Sequence, residues 1–248
     1  MRYVALAVDY DGVVARDGHI DGPTRDALAR WRGASQRTIL ATGREMADLK
    51  ALDAPLSLFD RVIAENGGVL FTQETGEERA LAASPPDPLV EALRARRVAP
   101  LSVGRVVIAT FQPHGPAVLD AIHALGLEHQ IIFNKGAVMV LPPGINKATG
   151  IAAALEELAL SAHNLVAIGD AENDRAMLEL AECSVAVANA LPGVKANVDL
   201  LTAGDHGAGV ADIIDALLAD NLQMAQPALR RHDIAIGTDA RDQVITLP

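Results

Sequence analysis

The amino-acid sequence predicts a doubly wound α/β protein: a parallel sheet with helices on both faces and a small α+β insertion in the middle of the chain. Three observations lead there. Short apolar runs alternate with longer segments of helical period, the pattern of successive βα units. Polar clusters follow directly on several of those runs, where open parallel sheets place their ligands. Between about Phe71 and Pro143 the alternation gives way to shorter strands, two helices and a hairpin.

The core strands fall at 4–8, 38–41, 61–64, 165–168 and 184–187. Between them, 23–32 carries Leu28 and Trp31 at helical spacing, and 45–52, 147–160 and 174–181 also read as helices. Trp31 is assigned to the helix core. The insertion reads as a strand from Phe71, a helix at 88–97, a strand at 101–111, a helix at 116–125 and a hairpin of 129–133 with 137–141. Pro142-Pro143-Gly144 closes it, as a return linker or hinge. The chain is thus expected to divide into a core at 1–71 and 144–222, an inserted domain at 72–143 and a tail at 223–248. The tail holds a basic Arg230-Arg231-His232 and two β-like runs, 233–237 and 243–247. Two readings of it stand: a hairpin packed on the core, or the start of a further domain.

Composition excludes several classes of partner. The 248 residues are 50% apolar, enough for a sizeable core, and carry a formal net charge of −11. No broad basic face is available for nucleic acid or an anionic membrane, although small anions remain possible where positive charge is local. The lone Cys183 forms no internal disulfide, and no Cys/His cluster has zinc spacing. The N-terminal apolar run is broken by Asp9, too early for a signal sequence or a membrane span. The expectation is a soluble, cytoplasmic protein.

Four polar clusters carry the chemistry. Asp9-Tyr10-Asp11-Gly12 ends the first strand. Side chains alternate along a strand, so Asp9 and Asp11 face one side while the chain stays extended, and two close carboxylates call for a cation. Thr42-Gly43-Arg44 follows the second strand and precedes a helix; a hydroxyl, a glycine and free helix amides form an anion cradle. Asn146-Lys147 opens a helix, where a cation opposes the helix dipole unless an anion is near. Gly169-Asp170-Ala171-Glu172-Asn173-Asp174 adds further acids after a fourth strand. Each alone is also an ordinary turn or helix start. Together, in this order and each at an element end, they describe a metal-and-phosphate site.

With these residues in view the sequence resembles the haloacid dehalogenase (HAD) superfamily, and within it the Cof-like, class IIB phosphatases. Residues 9–13 look like its motif I, Thr42-Gly43-Arg44 its motif II, Lys147 its motif III and 169–174 its motif IV. Glu65-Asn66-Gly67-Gly68 is similar to the family's ENGA-type loop and Val187-Ala188-Asn189-Ala190 to its AMGNA segment. The resemblance runs from residue 1 to about 222, with the insertion where class IIB members carry an α+β cap. Its short length is similar to the compact caps of archaeal phosphoglycolate phosphatases and sucrose phosphatases. Val13 and Ala171 are small departures from the usual motifs.

The resemblance implies a Mg²⁺-dependent phosphatase acting on a small soluble phosphomonoester through an aspartyl phosphate. Asp9 would be the nucleophile and Asp11 the general acid/base. The metal would be held by the Asp9 carboxylate, the Asp11 backbone carbonyl and the Asp170 carboxylate. Thr42, Gly43 and Lys147 would hold the phosphate, Asn173 the phosphate or a metal-bound water, and Asp174 would orient Lys147 or the metal shell. Arg44 has two readings, a substrate contact or a surface ion pair. Glu172 is read as solvated, and His206 as a polar residue of a late loop. Candidates for reading the organic part of the substrate are Arg105, Gln112, His114, Asn134 and Lys135 in the insertion. Two other functions stay open: a phosphomutase, which would use insertion arginines such as Arg94, Arg96, Arg97 and Arg105, and a HAD-like regulatory module of a larger protein.

Overall fold

A computed structural model describes residues 2–223, 234–238 and 244–247. The first part of the chain forms β1 (Ala5–Asp9), α1 (Gly22–Gly33), β2 (Arg37–Ala41), α2 (Met46–Ala51), β3 (Arg61–Ala64), β4 (Val69–Thr72) and β5 (Glu77–Ala80). Then come α3 (Asp87–Ala95), β6 (Ser102–Val103), β7 (Ile108–Phe111), α4 (Gly115–Ala124), β8 (Gln130–Asn134) and β9 (Ala137–Leu141). The chain returns through α5 (Lys147–Glu157), β10 (Leu165–Gly169), α6 (Arg175–Leu180), β11 (Cys183–Ala186), α7 (Pro192–Lys195), β12 (Leu200–Leu201) and α8 (His206–Asp220). Finally β13 (Ile234–Thr238) and β14 (Val244–Leu247) pair antiparallel, at the two β-like runs of the tail. The basic stretch Arg230-Arg231-His232 lies outside the described residues.

The large sheet has the order β12-β11-β10-β1-β2-β3-β4-β5. Its six strands from β12 to β3 run parallel. From β1 the chain winds outward through β2 and β3, and from β10 it winds the opposite way through β11 and β12. The direction therefore reverses between β1 and β10, the topological switch point of a doubly wound sheet. Strands β1, β3, β10 and β11 are buried at every residue, so apolar residues follow one another rather than alternate, with Asp9, Arg61 and Ser184 as buried polar exceptions. Trp31 is fully buried on α1, and its indole nitrogen donates to the carbonyl of Arg37 at 3.0 Å.

The insertion is a cap domain built on a four-stranded antiparallel sheet of order β6-β7-β9-β8. One face packs on α3 and α4 through Leu89, Leu93, Val118, Ile122, Val138 and Val140. Alternation along β7 and β9 turns Ala109, Met139 and Leu141 to the other face, which joins the main core.

Three elements differ from the sequence reading. The run 101–111 is not one strand but the hairpin β6–β7. Its turn is gripped from outside: the Glu65 carboxylate accepts from the backbone N–H groups of Arg105, Val106 and Val107 at 3.0, 2.7 and 3.0 Å. Strands β4 and β5 extend the parallel sheet in antiparallel fashion. His206 is not on a loop; it is the first residue of α8, which packs against α1.

Candidate active site

The four clusters meet at the carboxyl edge of the large sheet. Asp9 is the last residue of β1, Thr42 follows β2, Asp170 follows β10, and Lys147 is the first residue of α5. Asn146 caps that helix, accepting from the backbone N–H of Thr149 at 3.2 Å while the Thr149 hydroxyl accepts from the Asn146 backbone. This capping box aims the start of α5, and with it Lys147, at the strand ends.

Lys147 is fully buried, and its Nζ donates to Asp9 Oδ1 at 2.5 Å and to Asp174 Oδ1 at 2.6 Å. The other oxygen of Asp174 accepts from the backbone N–H groups of Asp170 and Ala171 at 2.8 and 3.0 Å. Asp174 is therefore fully engaged in holding Lys147 and the loop after β10. Burial works against the Lys147 charge, but the Asp174 and Asp9 carboxylates more than offset it and hold the ammonium above its usual range. One ammonium does not compensate two carboxylates, and the shortfall lands on Asp9. Burial first, then the Asp174 charge, push the Asp9 carboxyl up to about 7, with Lys147 opposing only in part.

The deficit has the shape of a cation site. Asp9, Asp170 and Asp174 each offer an oxygen, and the three lie within 4.8 Å of one another. Asp170 is buried, chiefly by that burial its carboxyl is raised, and its Oδ1 has no hydrogen-bond partner. A buried, partnerless carboxylate oxygen among acids is costly unless an ion completes it. All the donors are hard oxygens, which suits Mg²⁺, Ca²⁺ or Mn²⁺ rather than a soft metal.

Beside the acids lies a cavity of about 350 Å³. Its core wall includes Asp9, Asp11, Thr42, Gly43 and Arg44, and its cap wall includes Phe111, Asn134 and Met139. The Thr42 hydroxyl accepts from the Arg44 backbone N–H at 3.1 Å, so its proton is free for an anion. A Cβ at Gly43 would stand 3.3 Å from the Met139 sulfur, a tight contact that shows how closely the cap approaches the backbone here. Arg44 is an ion pair, but not a remote surface one: its Nε and Nη2 donate to both oxygens of Asp11 at 2.6 and 2.8 Å. Asn173 Nδ2 donates to Asn66 Oδ1 at 3.0 Å, and this leaves Asn66 Nδ2 and Asn173 Oδ1 buried without partners.

Two residues beside the candidate site have no role in the sequence reading. Glu65 and Asn66 stand in left-handed backbone at φ 51 and 54, followed by Gly67 at φ 111. A Cβ on Gly67 would meet the carbonyl oxygen of Asn146 at 2.0 Å, so only glycine fits against the head of α5. The loop also donates from Glu65 N to Arg44 O and from Asn66 N to Thr42 O, both at 2.9 Å. It thereby touches the anion cradle, the start of α5, Asn173 and the cap. The signal in the sequence was the ENGG motif itself, which marked a special loop without saying what it holds.

Of the five cap candidates, the structure brings two to the site. Asn134 lines the cavity, and Lys135 Nζ donates to Asp170 Oδ2 at 2.6 Å. Arg105 turns instead to the carbonyl of Glu78, at 3.1 Å, and to its carboxylate. His114 contacts the backbone of Ala99, and Gln112 is not among the residues lining the cavity.

The switch-point acids under an α+β cap place the chain among the capped α/β hydrolases, and comparison with known proteins gives the particular family. Residues 106–214 match the haloacid dehalogenase-like hydrolase family. The chain is similar to phosphoglycolate phosphatase 2 of Saccharolobus solfataricus, at 27% identity over 222 residues that cover 88% of this chain and 94% of that one. Similarity to the phosphoglycolate phosphatase of Halobacterium salinarum is 31% over 229 residues, covering 86% of this chain and 96% of that one. The fold is similar to that of a haloacid dehalogenase-like hydrolase from Bacteroides thetaiotaomicron, with a TM-score of 0.75 at 21% identity, covering 87% of this chain and 99% of that one. The chain belongs to the haloacid dehalogenase-like hydrolase family. No helix among the described residues is long and apolar enough to cross a membrane.

Proposed function

We propose that this protein is a Mg²⁺-dependent phosphatase that hydrolyses a small phosphomonoester, phosphoglycolate-like or a sugar phosphate, through an aspartyl phosphate on Asp9. The observation that carries this reading is the buried Lys147 shared between Asp9 and Asp174, next to the partnerless Asp170 oxygen, with Asp9 itself lining a cavity of about 350 Å³. A cavity of that size is at the small end of ligand sites. The relatives' names, phosphoglycolate phosphatases, point the same way.

Mg²⁺ would be held by the carboxylates of Asp9 and Asp170 with the Asp11 backbone carbonyl, and when bound it supplies charge compensation for the acids and for a phosphate beside them. The Thr42 hydroxyl, the Gly43 backbone and the Lys147 ammonium bind the non-bridging phosphate oxygens, where charge is spread in the transition state. Asp9 attacks phosphorus while the bond to the ester oxygen breaks, and Asp11 gives that oxygen its proton. Asp11 then takes a proton from the water that attacks the phosphorylated Asp9, returning the Asp9 carboxylate and releasing phosphate. Asn173, held by Asn66, supports the phosphate, and Asp174 keeps Lys147 in place.

The division into a core at 1–71 and 144–222, a cap at 72–143 and a tail at 223–248 belongs to this reading, with strand β5 crossing to the core sheet. So does a cytoplasmic location, on the acidic balance and single cysteine. The cap arginines speak against a mutase: Arg94, Arg96 and Arg97 are exposed at the end of α3, and none of them lines the cavity. The test is release of phosphate from p-nitrophenyl phosphate with Mg²⁺. Turnover well above that of Asp9→Ala is the expected result, and turnover no higher than that variant's overturns the reading.

A further inference from the structure

The β8–β9 turn of the cap sends one cation into the acid cluster. Lys135 stands there in left-handed backbone, φ 47, with its side chain 44% exposed and its ammonium 2.6 Å from Asp170 Oδ2. Its seat on the core is shaped to receive it. Gly12 leaves the room: a Cβ there would fall 2.9 Å from the Lys135 nitrogen and 2.3 Å from Asp170 Oδ2. Asn189 lines the same seat, donating to the Gly12 carbonyl at 2.8 Å and reaching Asp170 Oδ2 at 3.5 Å. Among the described ion pairs, this is the one that joins the cap hairpin to an acid at the sheet edge.

The cap's attachments to the core are unequal. At the β6–β7 turn three backbone amides are bound to the buried Glu65 carboxylate. At the β8–β9 turn there is a single, partly exposed ion pair. The polar hold at the first end is buried and that at the second half-exposed, where a pair contributes little on its own, so that beyond the packing of Ile132 and Met139 on the main core the second end is the weaker one.

Charge decides which way the second end goes. Four carboxylates at the sheet edge, Asp9, Asp11, Asp170 and Asp174, face three cations, Lys147, Arg44 and Lys135. The site is short of positive charge, and Lys135 is drawn in. A divalent cation alone cancels the shortage that Lys135 answers and competes with its ammonium for Asp170. A phosphate dianion arriving beside that cation restores the shortage.

We propose that Lys135 is the charge-sensing latch of the cap: it docks on Asp170 when the site lacks positive charge, is driven off by a divalent cation alone, and returns when phosphate joins that cation. This rests on the metal-phosphatase reading above. In the working enzyme the cap would then open for substrate after metal binding and close over it in answer to the phosphate group itself. Lys135 is a positioning residue on this view, acting through Asp170 and the cap.

Calorimetric titration of wild-type protein, Lys135→Met and Lys135→Arg separates the possibilities, at about pH 8 so that the carboxylates are ionised. MgCl₂ is titrated first, then inorganic phosphate into the Mg²⁺-saturated protein. Lys135→Met is expected to bind Mg²⁺ roughly three- to tenfold more tightly and phosphate roughly three- to tenfold more weakly, the scale of one partly exposed charge interaction. Lys135→Arg should keep both affinities near wild type. Shifts of the same sign for both ligands, as a merely structural lysine would give, overturn the latch, and so does no shift in either. Absence of Mg²⁺ binding by the wild type would bring down the metal-phosphatase reading and the latch together, whereas normal binding that ignores Lys135 removes the latch alone.

Discussion

Both oxygens of the Asp11 carboxylate are taken by one side chain: Arg44 donates Nε to Oδ2 at 2.6 Å and Nη2 to Oδ1 at 2.8 Å. The fork matches the carboxylate geometry and fixes Asp11 at the cavity wall, 33 residues away in sequence. For Asp11 to hand a proton to a leaving group, this pair has to open. Asp11→Asn is expected to lower kcat by about 10²- to 10⁴-fold, the usual worth of a positioned acid/base. Its second step should suffer most, so intact mass spectrometry during turnover should show Asp9 carrying one phosphoryl group. No such adduct, or an adduct that persists in Asp9→Asn/Asp11→Asn, would refute the assignment.

Among the described residues Lys147 is the sole side-chain donor to Asp9, and it is fully buried. Replacing it by Met leaves two buried carboxylates without their ammonium. The expected loss is about 3–5 kcal/mol of folding stability by urea denaturation, the cost of breaking a buried pair. Part of it should return with added Mg²⁺, because a divalent ion supplies the missing charge.

The raised Asp9 carboxyl makes metal-free stability depend on pH. The folded protein holds the Asp9 proton up to about 7, whereas an unfolded chain releases it near the ordinary carboxylate value of 3.8. Between those values the folded state binds more protons than the unfolded one. The Asp9 contribution is therefore complete below the lower value and disappears as pH rises through the upper one. Thermal melting of the metal-free protein should fall over that window relative to Asp9→Asn, and Mg²⁺ should flatten the difference. A melting temperature that rises across the window relative to Asp9→Asn would contradict the shift.

Glu65 binds three cap amides from a position 3% exposed. Glu65→Gln places an NH₂ against donors and should leave buried amides unsatisfied, at about 1–3 kcal/mol. Hydrogen exchange at Arg105, Val106 and Val107 is expected to quicken several-fold while β1 amides keep their rates. Equal acceleration throughout the chain would mean that Glu65 is a general stability residue rather than the fixed end of the cap.

The sequence pattern puts β3 at its observed limits, and β1, β2, β10 and β11 to within a residue at each end, because strands buried on both faces are dominated by consecutive apolar residues. Lys147 was conspicuous for the opposite reason: a cation at a helix start is unfavourable without acids nearby, and Asp9 and Asp174 are those acids. The run 101–111 misled because a short hairpin and a single strand have the same apolar, β-branched composition. The residue that makes its turn, Glu65, is some 40 positions earlier.

By itself the sequence determined the order of the core elements, the strand ends that carry Asp9, Thr42 and Asp170, and the shortage of positive charge that calls for a cation. Those properties are local, set by side-chain period and residue type along a few neighbouring positions. The tertiary structure decided which partner each charged group found: Arg44 on Asp11, Lys135 across from the cap to Asp170, Asn66 behind Asn173, and Glu65 beneath the β6–β7 turn. Pairings between residues 33 to 107 positions apart depend on how the layers close over one another, and a linear pattern holds no record of that distance.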